Sequence, residues 1–171
     1  MRTMSWMVRG AVFGALLVSG TPVLGQESAK AQTKLATALR GKHIALATGI
    51  ETAAANGKPI SAKYEYEGGK LSLSVYTEKS GQFSEVVVNH HTGKVEKTEK
   101  ITEGDDLKAA QSQSAAAAQA KSSLASALSK ALSANKGYSG VSATATLKNG
   151  QPTAEITLIK GSEFKMVTEP F

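Results

Sequence analysis

Two runs of alternating residues around Gly68-Gly69 constrain this chain more than any other stretch. Ala62, Tyr64 and Tyr66 alternate with Lys63, Glu65 and Glu67, and after the glycines Leu71, Leu73 and Val75 alternate with Ser72 and Ser74. Period-two patterning on both sides of a Gly-Gly pair predicts a β-hairpin with one apolar and one wet face. Tyr64 and Tyr66 share the apolar face and read as core, whereas Tyr76 falls on the other face, open to a partner. An apolar sheet face needs a cover, and the stretch just upstream supplies one. Leu35, Leu39, Leu46, Ile50 and Ala53 recur at helical spacings on one side. Gly41–His43 predicts a break in this helical run, and Asn56-Gly57 its stop, with Pro59 just beyond.

Downstream, Ser80-Gly81 turns the chain into Phe83–Asn89, where the unbroken Val86-Val87-Val88 predicts a more central strand. His90–Gly93 makes the next turn, and Lys94–Ile101 reads as a charged edge strand. Thr102–Asp106 is a polar junction, with Thr102 or Asp105 as the expected helix cap. From Leu107 to Asn135 there is no Gly or Pro, which predicts a long helix. Its first half, AAQSQSAAAAQA, carries little pattern and reads as exposed or lightly packed. Its second half places Leu124, Leu128 and Leu132 at i, i+4 and i+8. After Lys136-Gly137, Val141–Leu147 and Thr153–Ile159 flank Asn149-Gly150, a strong hairpin signal, and Glu163–Thr168 forms a last strand.

The two halves correspond. Leu46, Ile50 and Ala53 match Leu124, Leu128 and Ala131, and SVYTEKSGQF lines up with EITLIKGSEF. The expected fold class is α+β: two units, each a helix plus a three- or four-stranded antiparallel sheet, joined by a long helix. The divisions are 1–25 as signal peptide, 26–101 as the first unit with its leading helix, 102–121 as an alanine-rich helical linker, and 122–171 as a truncated second unit.

The signal-peptide reading rests on Arg2 and Arg9 ahead of the short apolar run Ala11–Val18, followed by Val23 and Gly25 at −3 and −1 of a cleavage site before Gln26. That apolar run is far shorter than the ~20 residues that span a bilayer, so the expectation is an exported periplasmic or secreted protein without stable membrane insertion. Removing the two arginines takes the net charge from +6 to +4. The remaining lysines alternate with glutamates, which argues against a nucleic-acid partner. The chain has no cysteine, so disulfides, thiol chemistry and a lipid-modified cysteine are excluded.

The segment Val88-Asn89-His90-His91-Thr92-Gly93-Lys94-Val95, after a helix and a hairpin, resembles the closing motif of the PepSY domain, V-D-x-x-T-G-K-V. Asn89 stands where the family usually has Asp. Val88, Asn89, Thr92, Gly93, Lys94 and Val95 carry the likeness, which covers roughly Leu46–Ile101 well and Ser122–Phe171 in outline. The resemblance implies a binding or regulatory module of the kind found in propeptides of thermolysin-type metallopeptidases, and it brings no catalytic residues.

Other constellations read as structure. His90 and His91 are weak metal candidates, since neighbouring residues on a strand point to opposite faces and no Cys or carboxylate cluster lies near. His43, beside the helix break, reads as a surface or partly buried residue. Glu65, Glu67, Glu78 and Glu85, interleaved with Lys63, Lys70 and Lys79, read as an exposed sheet face. No serine has a nucleophile elbow. The expected protein is therefore a non-enzymatic protein-binding module of the cell envelope that modulates or inhibits a peptidase through an exposed sheet face or edge, and it needs no cofactor. The alternative is a periplasmic small-ligand or metal binder using a groove between helix and sheet or between the units.

Overall fold

The computed structural model describes residues 22–171. The alternating runs form strands β1 (Lys58–Glu67) and β2 (Lys70–Lys79), followed by β3 (Gln82–Val88) and β4 (Val95–Ile101). Helices α1 (Pro22–Ala38) and α2 (Leu46–Ala53) precede them, separated at the expected break. Helices α3 (Gly104–Gln119) and α4 (Leu124–Ala134) come next, then β5 (Ser139–Lys148), β6 (Gln151–Lys160) and β7 (Glu163–Pro170). The hairpin turns Gly68-Gly69, Ser80-Gly81 and Asn149-Gly150 all have positive φ at both residues. That backbone matches the twist of the strands on either side.

All seven strands belong to one antiparallel sheet in the order β4-β3-β2-β1-β5-β6-β7. The fold is α+β. The two strand sets join where β1 meets β5, over Ser61↔Thr144, Ala62↔Ala143 and Lys63↔Ser142. Beyond this short seam each set runs outward by hairpin connections, which leaves β4 and β7 at the edges.

On the first face, α2 and α4 lie beside one another over the apolar residues of both sets. Leu46, Ile50 and Ala53 of α2, and Leu124, Leu128 and Ala131 of α4, are all buried against Ile60, Leu73, Val75, Val86, Ile156 and Leu158. Val86 and Val88 are buried while Val87 is only half-buried, so β3 alternates in the ordinary way.

The other face departs from expectation. The alanine-rich stretch is a packed helix, not an exposed linker: α3 lies across β5, β6, β1 and β2, with Ala110, Ala116 and Ala117 buried. Methyl side chains let a helix approach a sheet closely without any large apolar stripe. The Lys58 ammonium donates to the Ala117 carbonyl at the C-terminal end of α3, where the helix dipole favours a cation. Neither Thr102 nor Asp105 caps α3; Glu103 occupies the N-cap position without a side-chain bond. The long run also does not continue as one helix. Ala120 turns extended, and the Ser123 hydroxyl accepts from the Ser126 N–H at 3.1 Å to cap α4.

The apolar run Ala11–Val18 with Arg2 and Arg9 lies outside the described residues, and Gly25 and Gln26 fall within α1. Among the described residues no helix is long and apolar enough to cross a membrane.

Candidate functional site: a closing turn and a two-helix cleft

The segment Val88–Val95 holds α2 against the sheet. Val88 is buried and pairs with Val95 across the turn, and Asn89 N–H donates to Lys94 O at 2.8 Å. The Asn89 side chain organises the turn itself. Its Oδ1 accepts from the N–H groups of His91 (2.9 Å) and Thr92 (2.8 Å), while its Nδ2 donates to Glu96 at 2.7 Å. This is the Asx-turn chemistry that Asn and Asp share, but only the amide can also donate to a carboxylate. Gly93 adopts φ +72° and approaches Ile44 and Thr48. From the helix side, Ile44 N–H donates to His90 O (2.8 Å) and the Thr52 hydroxyl to Gly93 O (3.0 Å). The motif therefore serves architecture, and Lys94 at its end is exposed. Asn89→Ala, which leaves two turn N–H groups without their acceptor, is expected to cost about 1 kcal/mol in urea denaturation.

His90 and His91 sit in this turn with ring centroids 4.1 Å apart. They are side by side, not on opposite faces, because the chain has left the strand at Asn89. Partial burial, followed by the neighbouring His91, lowers the pKa of His90, with His43 and Lys70 adding to the effect against the pull of Glu96. Among the described residues no three His, Cys, Asp or Glu side chains gather in a metal-binding group.

Tyr64 is buried and donates to Ile44 O at 2.7 Å, and His43 meets its ring edge-on. Burial raises its pKa to about 12. Because the folded state favours the neutral phenol, this contribution to stability is complete below the ordinary value near 10 and is lost as pH climbs from about 10 to about 12. Tyr64→Phe should be less stable at neutral pH and should lose less stability across that window, measured as urea midpoints at each pH.

The face carrying the polar residues of the hairpin lies beneath α1 and α3. These helices and the sheet enclose a cleft of ≈ 370 Å³. Lys63 and Glu65, expected on an exposed face, form a 2.7 Å ion pair with side chains only 19% and 21% exposed. The Lys63 ammonium also sits 5.5 Å from the centroid of the Tyr76 ring. Tyr76 is half-buried rather than freely exposed. Burial, reinforced by the negative charges of Glu85, Glu65 and Asp106, pushes its hydroxyl well above the usual tyrosine range. The hydroxyls beneath the helices partly satisfy one another, as Ser61 with Thr144 at 3.1 Å shows. Phe164 and Met166 of β7 reach the same cleft, and Met166 is 70% exposed. Nothing in the sequence gave β7 and Tyr76 a shared cleft. The β1–β5 seam does so by joining the two strand sets, with β1, β5 and β6 lying between β2 and β7.

No curated protein matches this sequence. The fold is similar to the crystal structure of a candidate lipoprotein from Clostridium difficile 630, at 14% identity and a TM-score of 0.38, over 77% of this chain and 97% of that one. Residues 42–99, about a third of the chain, match the family model for the peptidase propeptide and YPEB domain, so a PepSY domain lies where α2, the first four strands and the closing turn stand.

Proposed function

We propose that this protein is an exported, non-enzymatic binding module of the cell envelope that modulates a peptidase, and that residues 122–171 form a second, shortened unit of the same kind. The PepSY match at residues 42–99 supports a propeptide-like or regulatory role. The second unit is supported by order and burial: α4-β5-β6-β7 follows the sequence of α2-β1-β2-β3, and the three corresponding residue pairs of α2 and α4 are all buried.

The observation that carries the binding surface is the contrast between the two sheet edges. The β4 edge reads VEKTEKI, and its Lys97–Glu99 pair (2.6 Å) keeps it charged and solvated, as edges that resist pairing are. The β7 edge is eight residues long and presents Met166 beside half-buried Phe164. An extended segment of a partner can add to such an edge through main-chain bonds, with an apolar side chain seated on Met166.

The test is titration of the Gln26–Phe171 chain against the secreted thermolysin-type metallopeptidase of its own source, read as inhibition and as complex formation. Met166→Glu, at an exposed position where folding should change little, is expected to weaken the complex about tenfold or more. Thr98→Glu on β4 should leave it unchanged. Equal binding by both variants would move the surface away from β7, and no complex with the wild-type chain would overturn the peptidase reading.

A further inference from the structure

The cleft under α1 and α3 holds an unbalanced set of charges. The whole chain is +6, yet the cleft is lined by three carboxylates, Glu65, Asp106 and Glu155, against one ammonium, Lys63. Lys63 is already committed to Glu65 at 2.7 Å. Among the described residues Asp106 and Glu155 take part in no ion pair, although the neighbouring Asp105 has Lys108 at 3.1 Å. The two carboxylates come from different elements, the first turn of α3 and the middle of β6. Leu35, Val141, Phe164 and Met166 supply apolar surface to the lining, alongside the hydroxyls of Ser61, Ser142, Thr144 and Thr157. A concave, mainly apolar cavity with a few convergent polar groups is the usual form of a small-molecule site, and ≈ 370 Å³ falls at the lower end of the roughly 300–1,000 Å³ such sites occupy.

We infer that this cleft binds a small amphiphilic amine, its apolar body between α3 and the Phe164–Met166 segment of β7 and its ammonium toward Asp106 and Glu155. The inference does not rest on the peptidase reading: the two share Phe164 and Met166, but this one turns on the carboxylates Asp106 and Glu155, which the β7 edge does not use. An anionic ligand would meet three carboxylates with the one ammonium already paired. A neutral apolar ligand would leave both free carboxylates desolvated without compensation. A cation of the right length offsets that cost, and Lys63 over Tyr76 shows that the aromatic floor accepts positive charge.

The test uses three probes that share one body and differ in charge: phenylbutylamine, phenylbutanol and phenylbutyrate. Each is titrated into the isotope-labelled chain and followed by backbone amide shifts. Phenylbutylamine is expected to give saturable shifts in α3, β5, β6 and β7, and to bind about tenfold more tightly than phenylbutyrate. In the double variant Asp106→Asn/Glu155→Gln that preference should vanish while phenylbutanol binding is unchanged. The wild-type comparison needs no variant, so a misfolded mutant cannot hide the answer. Equal binding of all three probes, a charge preference that survives in the double variant, or no saturable shift in the folded wild-type chain would overturn the inference. A lysine-containing apolar peptide that competes for the same shifts with higher affinity than the amine would reassign the cleft to a protein segment.

Discussion

Leu128→Ala is expected to cost about 2–5 kcal/mol of stability, the range for emptying a close-packed aliphatic site, and to lower the unfolding midpoint of both halves of the sheet together. Leu128 is fully buried on α4. Its Cδ1 lies 3.0 Å from where a Cβ on Gly140 of β5 would be, and Leu46 of α2 crowds the same point at 3.3 Å. The residue therefore stands where both first-face helices and β5 converge, and neighbours held by two helices and a strand can relax only partly into the space. Urea denaturation followed by far-UV signal and by Tyr fluorescence should give coincident, shifted transitions. Two separated transitions would mean that the halves unfold independently.

Ala143→Asp is expected to be more severe. Ala143 and its cross-strand partner Ala62 are both fully buried, and they form the middle of the three pairs that join β1 to β5. A carboxylate there would face the apolar interior beneath α2 and α4, whereas the neighbouring hydroxyls of Ser61 and Thr144 point to the opposite face and bond each other. An unpaired buried charge costs several kcal/mol, which is comparable to the whole stability of a small domain. The expected result is loss of the cooperative transition at neutral pH, seen by circular dichroism. Ala143→Ser, smaller and uncharged, should stay folded and separate the effect of charge from that of volume.

What could be read from the sequence was whatever local pattern decides. Period-two alternation with Gly-Gly or Asn-Gly between runs specified two hairpins, because those turns demand backbone conformations that few other pairs adopt. The buried faces of α2 and α4 followed from Leu46, Ile50, Leu124 and Leu128 at helical spacing. The second face was not legible, and the cause is physical. Ala110, Ala116 and Ala117 pack α3 on the sheet with methyl groups that register only weakly in any hydrophobic pattern, over hydroxyl-bearing residues that look solvated in sequence. The break before α4 did have a signal, Ser123 just ahead of Leu124, but an uninterrupted run of helix formers masked it. The seam was beyond reach for another reason: three residue pairs between strands far apart in the chain leave no local mark. That seam is also what puts Met166 and Phe164 on the same cleft as Tyr76, across three intervening strands, so the cleft is a consequence of topology rather than of any motif. The motif that was legible, Val88–Val95, proves to be a turn that fastens α2, with Asn89 as its organiser.

The most direct test of the binding reading is hydrogen–deuterium exchange of the Gln26–Phe171 chain alone and with the metallopeptidase in excess. An added strand would give the outward N–H groups of β7 new acceptors. Exchange is expected to slow in Glu163–Pro170, with β4 unchanged. Protection confined to β4 or to the turn at His90–Gly93, with β7 exchanging as in the free chain, would contradict the binding reading.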